Sequence, residues 1–250
     1  METLKIRGIE IGSDMPKICV PIIGRTQEAI MQQAESISRH EVDIVEWRAD
    51  YTEFVKDYDQ VKNVLTTLRG QLGEKILLFT FRTANEGGER AISAEEYYAL
   101  NRFVASTGYA DIVDIEMFLQ EEGLSSYISE IHSMGCKVIL SNHDFAKTPA
   151  EQEIVERLRK MEDAGGDILK IAVMPNSSMD VVTLLGATCK ANAILKQPIV
   201  TMSMAKLGVV SRLTGEIFGS AITFGTIGAA SAPGQIPVSE LRSYLQFFHN

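Results

Sequence analysis

The sequence predicts an α/β fold, a single (β/α)8 (TIM) barrel domain over residues 1–250 with a short N-terminal β-hairpin across its closed end, and three observations lead there. Eight short β-rich runs recur at fairly even spacing, segments with helical periodicity separate them, and 250 residues is the size of such a barrel. In chain order, LKIRGIEIG alternates like a hairpin. The barrel strands are then KICVPII (17–23), VDIVEWRAD (42–50), KILLFTFR (75–82), YADIVDIEM (109–117), KVILSNHD (137–144), DILKIAVM (167–174), PIVTMSM (198–204) and SAITFGT (220–226). RTQEAIMQQAESISRH follows the first of these as a helix, and PVSELRSYLQFFH closes the chain as another. In EQEIVERLRKMEDAGG, Ile154, Leu158 and Met161 share a face and Gly165 marks the stop. A doubly wound open sheet is the competing architecture. Against it, IIGRTQE stands after the first strand where that fold carries G-x-G-x-x-G.

Composition narrows the function classes. With 45% hydrophobic and 23% charged residues the chain reads as an ordinary globular protein. A net charge of −9 without a basic run argues against nucleic acid or an acidic membrane as partner, so an anionic ligand needs a local cationic pocket. Cys19, Cys136 and Cys189 are odd in number and far apart, which predicts buried thiols in a reducing compartment and neither a disulfide framework nor a metal site. METLKIRGIEIG lacks the apolar core of a signal peptide and no apolar run approaches the ~20 residues of a membrane span, so the expected location is the cytoplasm.

In a barrel, function gathers where strands end and βα loops begin. Glu46 and Arg48, Arg82, Asp114 and Glu116, and His143 and Asp144 fall at the ends of the second to fifth strands. In DILKIAVM the alternation sets Ile168, Lys170 and Ala172 against Leu169, Ile171 and Val173, and the apolar set suits the helix layer, so Lys170 points inward. Lysine is rarely buried unless paired or used. In a desolvated site near other cations an amine's pKa falls toward roughly 7 or 8, and the free amine then attacks a carbonyl to form a Schiff base. The alternative is an ion pair with Glu46, Asp114 or Glu116. His143 ends the strand before Lys170 and is a candidate proton carrier, or else a structural histidine bonded to a loop. Glu86, in a loop loosened by Gly87 and Gly88, could orient that imidazole and hold it protonated, or be a solvated turn residue. Met202 and Met204 could wall the pocket. Arg212 could grip a carboxylate, and GTIGAASAPGQIPV, with Ser231 and Gln235, is expected to form a mobile lid.

The runs VDIVEWRAD, LFTFRTANEGGE, SNHDFAKTP, ILKIAVMP, TMSM, GVVSRLTGEIFGSAITFGT and SAPGQI resemble those of type I 3-dehydroquinate dehydratases of the shikimate pathway, in order over nearly the whole chain. The resemblance implies a homodimeric (β/α)8 barrel that dehydrates 3-dehydroquinate to 3-dehydroshikimate by syn elimination, without metal or cofactor. By motif it makes Lys170 the Schiff-base lysine, His143 the general acid/base and Glu86 its carboxylate partner. Glu46, Arg48, Arg82, Arg212, Ser231 and Gln235 match substrate-binding positions. Where some members carry a serine at the end of the first strand, this chain has Pro21, and a side-chain hydrogen bond from that strand is lost.

Overall fold

A computed structural model describes residues 2–228 and 235–249. The hairpin strands β1 (Leu4–Ile6) and β2 (Ile9–Ile11) pair antiparallel. Then come β3 (Lys17–Ile22), α1 (Gln27–Ser38), β4 (Ile44–Arg48), α2 (Tyr58–Leu72), β5 (Ile76–Thr80), α3 (Ala94–Ser106), β6 (Ile112–Glu116) and α4 (Leu124–Ser133). The second half holds β7 (Lys137–Asp144), α5 (Glu151–Asp163), β8 (Ile168–Val173), α6 (Ser178–Ile194), β9 (Ile199–Ser203), α7 (Val209–Leu213), α8 (Gly215–Phe218), β10 (Ile222–Thr226), β11 (Ile236–Pro237) and α9 (Val238–His249).

Strands β3 to β10 follow one another as parallel neighbours, β10 returns to pair with β3, and β11 adds to β10. The seam between β9 and β10 is narrower. It is held by a bridge between Ile199 and Ser220, the Ala221 N–H donating to the Ile199 carbonyl at 2.8 Å, and the Thr201 N–H donating to Ser220 Oγ at 3.1 Å. The sheet thus curls round into the expected barrel with helices outside. Helix starts are set by side chains that accept orphan backbone N–H groups: Thr26 and Asp57 cap α1 and α2, and Ser93 with Glu96 and Ser177 with Asp180 form capping boxes on α3 and α6.

Strand alternation divides the apolar residues into two layers. One lies between strands and helices, for example Leu169, Ile171 and Val173 against Ile154, Leu158 and Met161. The other fills the lower barrel interior, where Cys19, Ile44, Ile76, Ile112, Ile139, Ile168 and Ile222 meet Ile6 and Ile11 of the hairpin. The hairpin is therefore the plug of the closed end. Its turn places Arg7 at φ 48° and Gly8 at φ 81°, the pair of positive φ values that a two-residue type I′ turn requires.

Three expectations change. Cys189 is exposed on α6, because it falls on the outer side of that helix, while Cys19 and Cys136 are buried. The lid expected over 225–238 is tied at both ends, since Gly225 pairs with Ile236 and Thr226 with Pro237, and residues 229–234 between them lie outside the described residues. Arg82 sits two residues beyond the end of β5 rather than in it. Among the described residues no helix is long and apolar enough to cross a membrane.

Candidate active site

The ends of the strands enclose a cavity of about 180 Å3. On β8, Ile168 and Ala172 pack inward, which forces Lys170 between them to face the same interior. Its Nζ lies 3.3 Å from Asp114 Oδ2 on β6 and 4.8 Å from the centre of the Phe224 ring on β10. Asp114 is fully buried. Its other oxygen takes Arg82 Nη2 at 2.8 Å and the Ser141 hydroxyl at 2.6 Å. Burial pushes the Asp114 carboxyl up, but the Arg82 and Lys170 charges and the Ser141 hydrogen bond outweigh it and hold the group below the usual carboxylate range.

Arg82 is the hub. Besides Asp114, it reaches Glu116 Oε1 and Ser141 Oγ from Nη1, each at 3.0 Å, and lies 3.8 Å from Glu86. Burial disfavours its charge, yet Asp114, Glu116 and Glu86 more than compensate, so it stays firmly protonated. Arg48 forms a two-pronged pair with Asp50, both contacts 2.8 Å, and Asp50 also accepts the backbone N–H groups of Arg82 and Glu89. Glu46 accepts from Thr80 Oγ1 at 2.8 Å.

β7 ends in His143. Its Nδ1 lies 2.9 Å from Glu86 Oε2, and its backbone N–H donates to the same oxygen at 2.9 Å. With Nδ1 engaged, Nε2 is the ring nitrogen left for chemistry in the cavity that His143 lines. Burial, followed by the charges of Arg82, Lys170 and Arg48, drives the imidazole well below its ordinary pKa, which favours its neutral form. Burial raises Glu86 to about 7, against the pull of Arg82 and the Asn142 hydrogen bond and with the push of Glu116.

The two glycines after Glu86 tighten its loop rather than loosen it. At Gly87, with φ 83°, a Cβ would sit 2.3 Å from the Phe145 ring, and at Gly88 it would sit 1.9 Å from the Arg82 carbonyl oxygen. Only glycine lets the backbone turn there with Phe145 against it. Arg212, on α7, is buried beside Met202 Sδ at 3.9 Å, and burial lowers it to about 10, still charged at neutral pH.

Of the residues singled out in the sequence, Glu46, Arg48, Arg82, Glu86, His143, Lys170, Arg212 and Gln235 line this one cavity, with Met202 and Met204 in its wall. Ser231 lies outside the described residues. His40, His132 and His249 pair elsewhere, with the Ser36 carbonyl, Asp167 and Glu216. Sequence reasoning assigned no role to Phe224, Phe145, Asp50, Ser141 or Asn142. The alternation of β10 places Phe224 inward with Ile222, a usable signal, whereas nothing local marks Phe145.

The model of the family described as type I 3-dehydroquinase matches residues 18–250. The 3-dehydroquinate dehydratase of Listeria innocua serovar 6a is 50% identical over 249 residues, covering 100% of this chain and 99% of that protein. Among solved structures, the type I 3-dehydroquinate dehydratase of Clostridium difficile superposes with a TM-score of 0.96 at 46% identity, covering 100% and 99% of the two chains. The Enterococcus faecalis 3-dehydroquinate dehydratase gives 0.92 at 44% identity, covering 99% and 100%. A 3-hexulose-6-phosphate synthase, at a TM-score of 0.63 and 17% identity, shares the fold alone. Full-length similarity at this level, with the strand ends arranged as above, places the chain in the type I 3-dehydroquinase family.

Proposed function

We propose that this protein dehydrates 3-dehydroquinate to 3-dehydroshikimate through a Schiff base on Lys170. The observation that carries the reading is a lysine and a histidine on adjacent strands, β8 and β7, lining one cavity at the strand ends with three guanidinium groups around it. The Lys170 amine attacks the C3 ketone, and the carbinolamine loses water to give an iminium. The iminium withdraws electrons from C2, whose proton His143 removes at Nε2. The C1 hydroxyl then leaves as water, taking its proton from the same imidazole, so both events occur on one face and the elimination is syn. Hydrolysis of the conjugated iminium restores the amine. Arg212 grips the substrate carboxylate with Gln235 and Ser231, while Glu46, Arg48 and Arg82 meet the ring hydroxyls. The structure of the Clostridium difficile relative was solved with covalent modified comenic acid, which is in keeping with covalent capture.

The whole chain is taken as one barrel domain acting in the cytoplasm, since the hairpin packs into the same interior as the strands. A homodimer fits the outer surface. Met179 and Val182 on α6, Val210 on α7, Ile217 on α8 and Phe247 on α9 expose apolar side chains on neighbouring helices. Sedimentation equilibrium returning a mass near 27.6 kDa would remove that part.

The deciding experiment is peptide mass spectrometry after borohydride treatment with 3-dehydroquinate, alongside enone absorbance in an untreated sample. A reduced adduct on Lys170 with growing absorbance is expected. Absorbance without the adduct rejects the Schiff base. Absence of both signals would turn the reading to a class I aldolase or transaldolase that uses Lys170 on a phosphorylated sugar, or to a non-catalytic barrel that binds an anionic metabolite and in which Lys170 only pairs with Asp114.

A further inference from the structure

Behind the Glu86–His143 pair, a second layer of contacts leads to the surface. By strand alternation Asn142 faces the helices while Ile139, Ser141 and His143 face the interior, yet its amide bends to the mouth and Nδ2 donates to Glu86 Oε1 at 3.2 Å. From α5, Arg157 Nη1 donates to Asn142 Oδ1 at 2.8 Å. The guanidinium is itself held: its other end pairs with Glu153 one turn back, and it stacks 5.6 Å over the Phe118 ring. Asn142, His143, Phe145 and Arg157 wall an outer hollow that shares His143 and Phe145 with the reaction cavity.

We propose that Asn142 and Arg157 are positioning residues for the proton-transfer pair: Arg157 fixes the orientation of the Asn142 amide, and the amide nitrogen fixes the Glu86 carboxylate that carries His143. The chemistry admits one orientation. Guanidinium has five donors and no acceptor, so only the amide oxygen can face it. The NH2 group is then directed at Glu86. In the flipped amide, donor would face donor at Arg157 and oxygen would face carboxylate at Glu86, two repulsive contacts in place of two bonds. Glu86 Oε1 is thereby occupied, and Oε2 is left for both the ring and the backbone N–H of His143.

This inference rests on the proposed dehydration for its kinetic effect but not for its geometry. The charged groups that act on the pair are Arg82, Glu116 and Asp114 from the strand ends and Lys170 and Arg48 across the cavity, while Asp144 and Arg157 face the outer hollow beside it. Among these contacts, the Asn142 donor favours the ionised Glu86. Replacing the donor with an acceptor of the same shape removes that bond and adds one negative charge, and Arg157→Met tests the orientation without adding an anion.

Asn142→Asp and Arg157→Met test it, with two readouts: the pH profiles of kcat and KM on 3-dehydroquinate, and the 15N NMR titration of the His143 ring without substrate, assigned by loss of its signal in His143→Gln. For Asn142→Asp we expect kcat at pH 7 to fall about tenfold with KM within about twofold, and the acid limb and ring titration to move up by about one pH unit, because a donor is lost and an anion gained. Arg157→Met should move both in the same direction by less, and Arg157→Lys should restore part of the shift. A folded Asn142→Asp protein whose limb and ring titration coincide with those of the parent overturns the proposal. A shift in Asn142→Asp with none in Arg157→Met overturns the part assigned to Arg157. Should the parent protein not turn over 3-dehydroquinate, the function reading fails separately, and the ring titration still decides this one.

Discussion

On β6, Ile112 and Asp114 both point into the barrel, two residues apart, and they belong to different worlds. Ile112 joins the isoleucines of β4, β5, β7, β8 and β10 under the hairpin, while Asp114 joins Arg82, Ser141 and Lys170 at the open end. The same step separates Ile44 from Glu46 and Ile168 from Lys170. One pleat further along, apolar packing gives way to buried charge. Burial without partners would make the upper layer intolerable, and the lattice of ion pairs and hydrogen bonds around Arg82 is what makes it tolerable. The closed end is thus built for stability and the open end for chemistry, so substitutions at the two ends should separate in what they change.

The sharpest separation comes from the open end. Lys170→Ala is expected to abolish covalent capture and turnover while leaving the fold, because the Asp114 carboxylate it strands still holds Arg82 and Ser141. Substantial retained turnover would sink the Schiff-base reading. His143→Ala should leave borohydride capture possible and lower kcat by roughly 10²–10⁴-fold, the usual contribution of a positioned proton carrier. A near-normal rate would show that another base acts. At the closed end, Ile112→Ala should do the reverse. It opens a hole in a fully buried layer and destabilises by about 2–5 kcal/mol, read as a lowered denaturation midpoint, while KM stays put. A changed KM with unchanged stability would break the division between the two ends.

That division was largely legible in the sequence, since it follows from alternation alone. All eight barrel strands fall within the runs marked by β-rich composition, and KVILSNHD matches β7 end to end. What escaped depends on contacts between distant segments. β11 is two residues long, one of them Pro237, and becomes a strand only because β10 lies beside it. Asp50, given no role in the sequence, locks Arg48 and two backbone N–H groups of the β5–α3 connection. The lowered pKa of His143 was likewise hidden, because it arises from burial and from three cations on other segments.

Arg212 lies between the extremes. It is a buried cation whose substitution removes binding rather than a reacting group. Arg212→Ala should raise KM by roughly ten- to a hundredfold, the equivalent of about 1.5–3 kcal/mol for a hydrogen bond to a charged partner, with kcat little altered. Unchanged steady-state kinetics would move the carboxylate site to another cation.

The smallest effect is expected at the rim of the closed end. Arg7 Nε donates to Asp111 Oδ1 at 2.6 Å, but Asp111 also holds Arg69 at 2.8 Å and accepts the Leu77 N–H at 2.8 Å, so losing Arg7 does not strand the carboxylate. A partly exposed pair of this kind contributes under about 1 kcal/mol. The backbone supplies a second contribution of similar size, because Arg7 at φ 48° occupies the left-handed region, where Asn is easier to place than Ala. Arg7→Ala and Arg7→Asn lose the same ion pair and differ only in that preference, and Asn followed by Gly8 is the favoured type I′ sequence. Arg7→Ala should therefore lower stability by about 1 kcal/mol, a midpoint shift of roughly 2–4 °C at this size, and Arg7→Asn by less, with activity unchanged in both. If Arg7→Asn were the more damaging of the two, the hairpin would be held by its ion pair rather than by its turn and the isoleucines beneath it.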